Sequence, residues 1–144
     1  MREILFRGKD IKGNWHIGLL AHIGNAWYIL SDKAGVATAF EVIPETVGQY
    51  IGIPDKNDKK IFEGDILLIK TTLESINKET RNDEYTANGV VVFNEGHFEL
   101  EGEGLVLCTY WGLKSLFVAA HFKEYEVIGN IHDNPELLKG GAKE

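Results

Sequence analysis

The sequence predicts a mostly β domain, built of twisted antiparallel sheets or a small barrel in an SH3-like strand-and-turn pattern, with one short C-terminal helix. Three observations predict it. Apolar runs are short and are broken by Gly, Asn and Asp. Sixteen glycines stand against three prolines, which suits many tight turns. Residues also alternate with a period of two where a half-buried strand would need it, as in Thr46 to Ile53, where Val47, Gln49 and Ile51 share one face.

Taken in order, Glu3 to Arg7 reads as a first strand and Asp10 to Gly13 as the turn after it. Trp15 to Ile23 and Ala26 to Ser31 flank Gly24-Asn25, a pair suited to a two-residue hairpin turn. Asp32 to Gly35 is a further turn and Val36 to Val42 a strand; Pro44-Glu45 breaks the pattern before Thr46 to Ile53. Pro54 to Lys60 is a polar turn. Ile66 to Leu73 reads as a strand, and its continuous apolar stretch, Ile66-Leu67-Leu68-Ile69, suggests burial on both faces. Glu74 to Asn88 is polar and of mixed charge, and reads as a long, mobile connection. Gly89 to Phe93 and His97 to Glu101 pair across Asn94-Glu95-Gly96. Glu101 to Gly104 is an acidic joint, and Leu105 to Ala120 is apolar core, strand or helix. Tyr125 to Ile131 is a last strand. Asn134 to Gly140 is a short helix, with Asn134 as N-cap, Pro135 as first helical residue and Gly140 as the C-terminal cap.

Composition bounds the rest. A chain of 144 residues fits one domain, spanning 1–144 with two packed β subregions at about 1–45 and 46–140. A domain of that size buries about 68–70% of its unfolded surface, so neither disulfides nor metal are needed to hold it together. Cys108 is the sole cysteine, which rules out an internal disulfide and reads as a buried thiol. No secretion leader and no run of about 18 apolar residues is present, which together with the lone cysteine points to the cytoplasm. A net charge of −7 disfavours nucleic acid, because the 15 basic residues are scattered. Their densest group is Lys56, Lys59 and Lys60.

Motifs for catalysis are missing: no phosphate-binding loop, no Gly-rich turn leading into a helix, no paired histidines at helical spacing, no serine in a glycine elbow. His16, His22, His97, His121 and His132 lie far apart in the chain, so no metal ligand set is expected, and no cofactor. Glu63-Gly64-Asp65 could serve as an acid–base pair or hold a divalent cation. The structural reading is stronger: Gly64 bends the chain before a buried strand, and Asp65 bonds nearby amides. Trp15, Trp27, Tyr28, Tyr50, Tyr110 and Trp111 are core by default, but Trp27 and Tyr28 point to opposite faces of one strand. The candidate interaction surface is therefore Trp27, Tyr28 and Tyr50 with Lys56, Lys59 and Lys60.

Four segments share an order and spacing that resembles a known family. They are Met1 to Arg7; Val47-Gly48-Gln49-Tyr50-Ile51-Gly52-Ile53-Pro54-Asp55-Lys56-Asn57-Asp58-Lys59-Lys60-Ile61-Phe62-Glu63-Gly64-Asp65-Ile66; Gly89 to Phe93; and Glu126 to Leu138. Together they resemble the YopX family of small phage and prophage proteins. The resemblance implies a β-rich fold and a phage or prophage origin, and supplies no catalytic residue set. The expected function is that of a non-enzymatic accessory protein that binds an unidentified protein and self-associates as a homo-oligomer. A nucleic-acid-binding small barrel is the alternative, ahead of a metal-dependent enzyme using Glu63 and Asp65.

Overall fold

The computed structural model describes residues 3–33, 35–72, 84–102 and 124–140. They form two compact units, residues 1–53 with 60–62, and residues 54–59 with those from 63 onward. Each unit holds one antiparallel sheet, and neither sheet is a closed barrel.

The first unit comprises β1 (Phe6–Lys9), β2 (Trp15–Ile23), β3 (Ala26–Lys33), β4 (Val36–Val42), a 3-10 turn (Pro44–Thr46), β5 (Gly48–Pro54) and β6 (Lys60–Phe62). Their order across the sheet is β4-β3-β2-β1-β5-β6. Gly24-Asn25 makes the two-residue turn that its sequence predicts, and the ladder runs from Ile23 opposite Ala26 to Leu19 opposite Leu30. At Gly18 the pairing of β2 changes hands: Phe6 of β1 lies opposite Gly18, and the ladder to β3 begins one residue later. A Cβ on Gly18 would sit 2.0 Å from the Leu30 carbonyl oxygen, so only glycine lets the backbones approach this closely. The ends of β4 and β1 are tied together. Ile43 N donates to Lys9 O at 2.8 Å, and Lys9 N donates to Thr46 Oγ1 at 2.9 Å. Ile29, Val42, Tyr50, Ile61 and Phe62 are the buried apolar residues of this unit.

The second unit holds β7 (Asp65–Thr72), β8 (Glu84–Asn94), β9 (His97–Glu101), β10 (Glu124–Asn130) and a short helix, α1 (Glu136–Gly140). The sheet order is β10-β7-β8-β9. Ile66 and Leu67 are adjacent, so they face opposite sides of β7, and both are completely buried. That matches the unbroken apolar run. Gly64, with φ at 93°, makes the bend before β7; its N–H donates to Val91 O and its carbonyl accepts from Ile131 N.

Two expectations are revised. β8 begins at Glu84, so Glu84 to Asn88 extends a strand rather than a loop, because Leu68 to Thr72 of β7 supply its partners. Asn134 takes the Leu137 N–H on its backbone carbonyl, while its side-chain oxygen turns back to accept from Asn130 N at 3.3 Å. Residues 73–83 of the expected connection, and Leu105 to Ala120 with Cys108, Tyr110 and Trp111, lie outside the described residues.

Candidate interaction surface

Strands β2, β3 and β4 carry one buried and one open face. The buried face holds His16, Gly18, Ile29 and Val42. The register fixes the other. Leu19, Leu30 and Ala39 lie in one row, Ala21, Tyr28 and Glu41 in the next, with Ile17 and Ile23 before and after on β2. This face is apolar and exposed: Ile23 is 65% accessible, Leu19 57%, Ile17 45% and Leu30 39%. Large apolar side chains exposed side by side, as opposed to singly, mark interaction sites. Asp32 and Glu41 add exposed negative charge on the same face.

The six residues expected to form an interaction surface are distributed as follows. Tyr28 lies on the open face, partly buried. Trp27 lies on the opposite face, where its indole stacks on the His22 ring at 3.9 Å. Tyr50 is buried; its ring tilts against Phe62 at 5.7 Å, and the Lys60 ammonium lies 5.6 Å from its centroid. Lys60 belongs to the first unit and is 3.9 Å from Glu3. Lys56 and Lys59 belong to the second, with Lys56 Nζ 3.4 Å from Glu126. Of the carboxylates, Asp65 is buried at 2% accessibility, and Glu63 is partly buried. No group of three or more His, Cys, Asp or Glu side chains able to hold a metal occurs among the described residues.

Two carboxylates not singled out from sequence organise the units. Asp10 Oδ1 accepts from Lys12 N and Asn14 N, both at 2.9 Å, and its Oδ2 meets His16 Nε2 at 2.8 Å. The bond to His16 is the main reason that the Asp10 pKa falls to about 2, helped by the amides. The His16 ring is buried and stacks on Phe40 at 3.8 Å, and its Nδ1 is enclosed without a hydrogen-bond partner. The pair ties the turn after β1 to the start of β2.

Asp55, in the turn between β5 and β6, is the second. Oδ1 accepts from Asn57 N at 2.8 Å and Lys59 N at 2.9 Å, while Oδ2 accepts from Val127 N of β10 at 2.9 Å. Burial works to raise the Asp55 pKa, but the three amides and the charge of Lys59 outweigh it and hold the carboxyl below its usual range. Burial, then the Asp55 charge, raises the Tyr125 phenol. A signal for both carboxylates was present in sequence, since an Asp opening a polar turn commonly accepts from amides two residues on. Their long-range partners had no such signal.

A family model described as YopX protein matches residues 19–139. No curated protein matches. Three chains of solved structures match, among them the crystal structure of protein EF1440 from Enterococcus faecalis. It is 23% identical, with a TM-score of 0.52 over 96% of this chain and 99% of that one, a likeness of fold. The chain belongs to the YopX family.

Proposed function

We propose that this member of the YopX family acts by binding another protein through the open face of β2, β3 and β4. The observation that carries the reading is the apolar row Leu19, Leu30 and Ala39 flanked by Ile17, Ile23 and Tyr28, left exposed on a sheet whose other face is buried. Tyr28 is the natural anchor, because a half-buried tyrosine offers a large rigid surface with one polar end. Asp32 and Glu41 on that face favour a partner whose apolar contact is fringed by basic side chains. The setting we infer is the cytoplasm of a host carrying the phage or prophage, where the protein is an accessory and not an enzyme.

The test is an affinity pull-down from host lysate, with and without nuclease, comparing the native chain with Leu19→Ser and Leu30→Ser. A nuclease-resistant partner recovered by the native chain and lost by both variants is the expected result. Recovery of the same proteins by the variants would remove the reading, and an enrichment that vanishes with nuclease would replace it with nucleic-acid binding.

A further inference from the structure

Among the described residues the two sheets end in four strands: β4 and β6 in the first, β9 and β10 in the second. An edge strand presents unpaired N–H and C=O groups and recruits another strand unless something blocks it. Three of the four are blocked. β6 is three residues long. β9 has Glu99 and Glu101 among its five residues. β10 is bulged between Val127 and Gly129, and its outer side is taken: Val127 N donates to Asp55 Oδ2, and Tyr125 O accepts from Lys56 N at 3.1 Å.

Within Val36–Val42, β4 has none of these devices; its outer side is taken only beyond the strand, at Ile43, by Lys9 O. Its register with β3 runs without a shift from Val36 to Val42, it contains neither proline nor lysine, and Glu41 is its sole charge. The direction of its free groups follows from one bond. Ile43 N turns away from β3 to reach Lys9 O. Alternation along an antiparallel strand then points the N–H and C=O of Ala37, Ala39 and Glu41 outward, and those of Val36, Thr38, Phe40 and Val42 toward β3.

We propose that β4 pairs antiparallel with β4 of a second copy of this chain, about a two-fold axis through Ala39. Ala39 then lies opposite its own counterpart and Ala37 opposite Glu41, and each such pair exchanges two N–H···O bonds, about six in all. The sequence of the strand is self-complementary in this register. Val36 meets Val42, and Thr38 meets Phe40. The exposed row continues across the axis as Leu19, Leu30, Ala39, then Ala39, Leu30, Leu19 of the second copy. Charge argues against the neighbouring register on Glu41, which would set two carboxylates directly opposite and destabilise the sheet, and centring the axis on Ala39 both places each Glu41 against an alanine and pairs the strand over its full length. An isologous pair of this kind closes on itself and leaves no further β4 edge open. The inference stands on the backbone edge and does not depend on the open face binding another protein.

Sedimentation equilibrium of the native chain, Ala39→Lys and Ala39→Pro tests it. Lysine puts two like charges opposite each other at the axis. Proline removes an outward N–H while leaving the bonds to β3 intact, the kind of position at which an edge strand accepts it. The native chain is expected to be a dimer at about 100 µM, with the dissociation constant raised about tenfold or more in each variant, as loss of edge bonds implies. Leu19→Ser, the probe of the face, leaves the dimer in place. Amide exchange on the native chain reads the same edge without any substitution: the N–H groups of Ala37, Ala39 and Glu41 should exchange more slowly as concentration rises. A native chain that stays monomeric, a dimer that natively folded variants leave intact, or exchange at those three amides that ignores concentration would each overturn the proposal.

Discussion

The turn from β1 to β2 and the turn from β5 to β6 are built alike. In each, an aspartate opens the turn and its Oδ1 accepts from the amides two and four residues later: Lys12 and Asn14 for Asp10, Asn57 and Lys59 for Asp55. In each, the aspartate N–H bonds the carbonyl four residues on, and the residue three on has a positive φ, Gly13 at 93° and Asp58 at 67°. The turns differ in the use of the second oxygen. Asp10 holds His16, six residues away in the same hairpin, whereas Asp55 reaches Val127, 72 residues away, and seals the side of a strand. One local device can thus either aim a side chain or silence a sheet edge, depending on what the fold brings to the spare oxygen.

Removing the device where it does more should cost most. Asp55→Ala leaves three amides without their acceptor, one of them on β10, and should destabilise the protein by about 3 kcal/mol. Denaturant unfolding measures the loss, and new concentration-dependent association should accompany it as the β10 edge opens. Acid should act on both turns. Each aspartate has its pKa lowered by folding, so its contribution is complete above the unfolded value near 3.8 and is lost as pH falls, through about 2 for Asp10. Unfolding midpoints followed from pH 6 to pH 2 should therefore drop mainly below pH 4, and Asp10→Asn should flatten part of that drop.

A smaller change sharpens the likeness of the turns. Asp58→Gly gives the second turn the glycine of the first and relieves a non-glycine residue at positive φ; thermal unfolding should show a gain of about 0.5 kcal/mol. Leu19→Ser should do least to stability, within about 0.5 kcal/mol, since the side chain is already in water; its effect belongs to partner binding.

Local chemistry explains what the sequence made legible. Gly24-Asn25 between two apolar runs was enough to place β2 and β3, and the run from Ile66 was enough to read β7 as buried on both sides, because turn residues and burial period act within a few positions. The polar strand start at Glu84 was hidden, since pairing with β7 decides it and its own composition argues for a loop. Gly18 looked like any strand residue until Leu30 lay against it. The six expected contact residues divide for the same reason: alternation put Tyr28 on the open face and Trp27 on the other, whereas the burial of Tyr50 depends on Phe62 and could not be read from its own strand. The loop that carries Lys56 and Lys59 is, in the fold, the frame around Asp55.

The chain leaves the first unit at residue 54, returns for β6 and leaves again at residue 63. That threading sets an order of events at the ribosome. The first sheet lacks its last strand until Phe62 has emerged, and by then the turn around Asp55 has been made while Val127 has not. At about 5–20 residues per second, the nascent protein carries a finished turn with an idle carboxylate oxygen for several seconds. Over that interval Asp55 is a socket waiting for its plug, and the last strand of the second sheet has a prepared place to dock when it arrives.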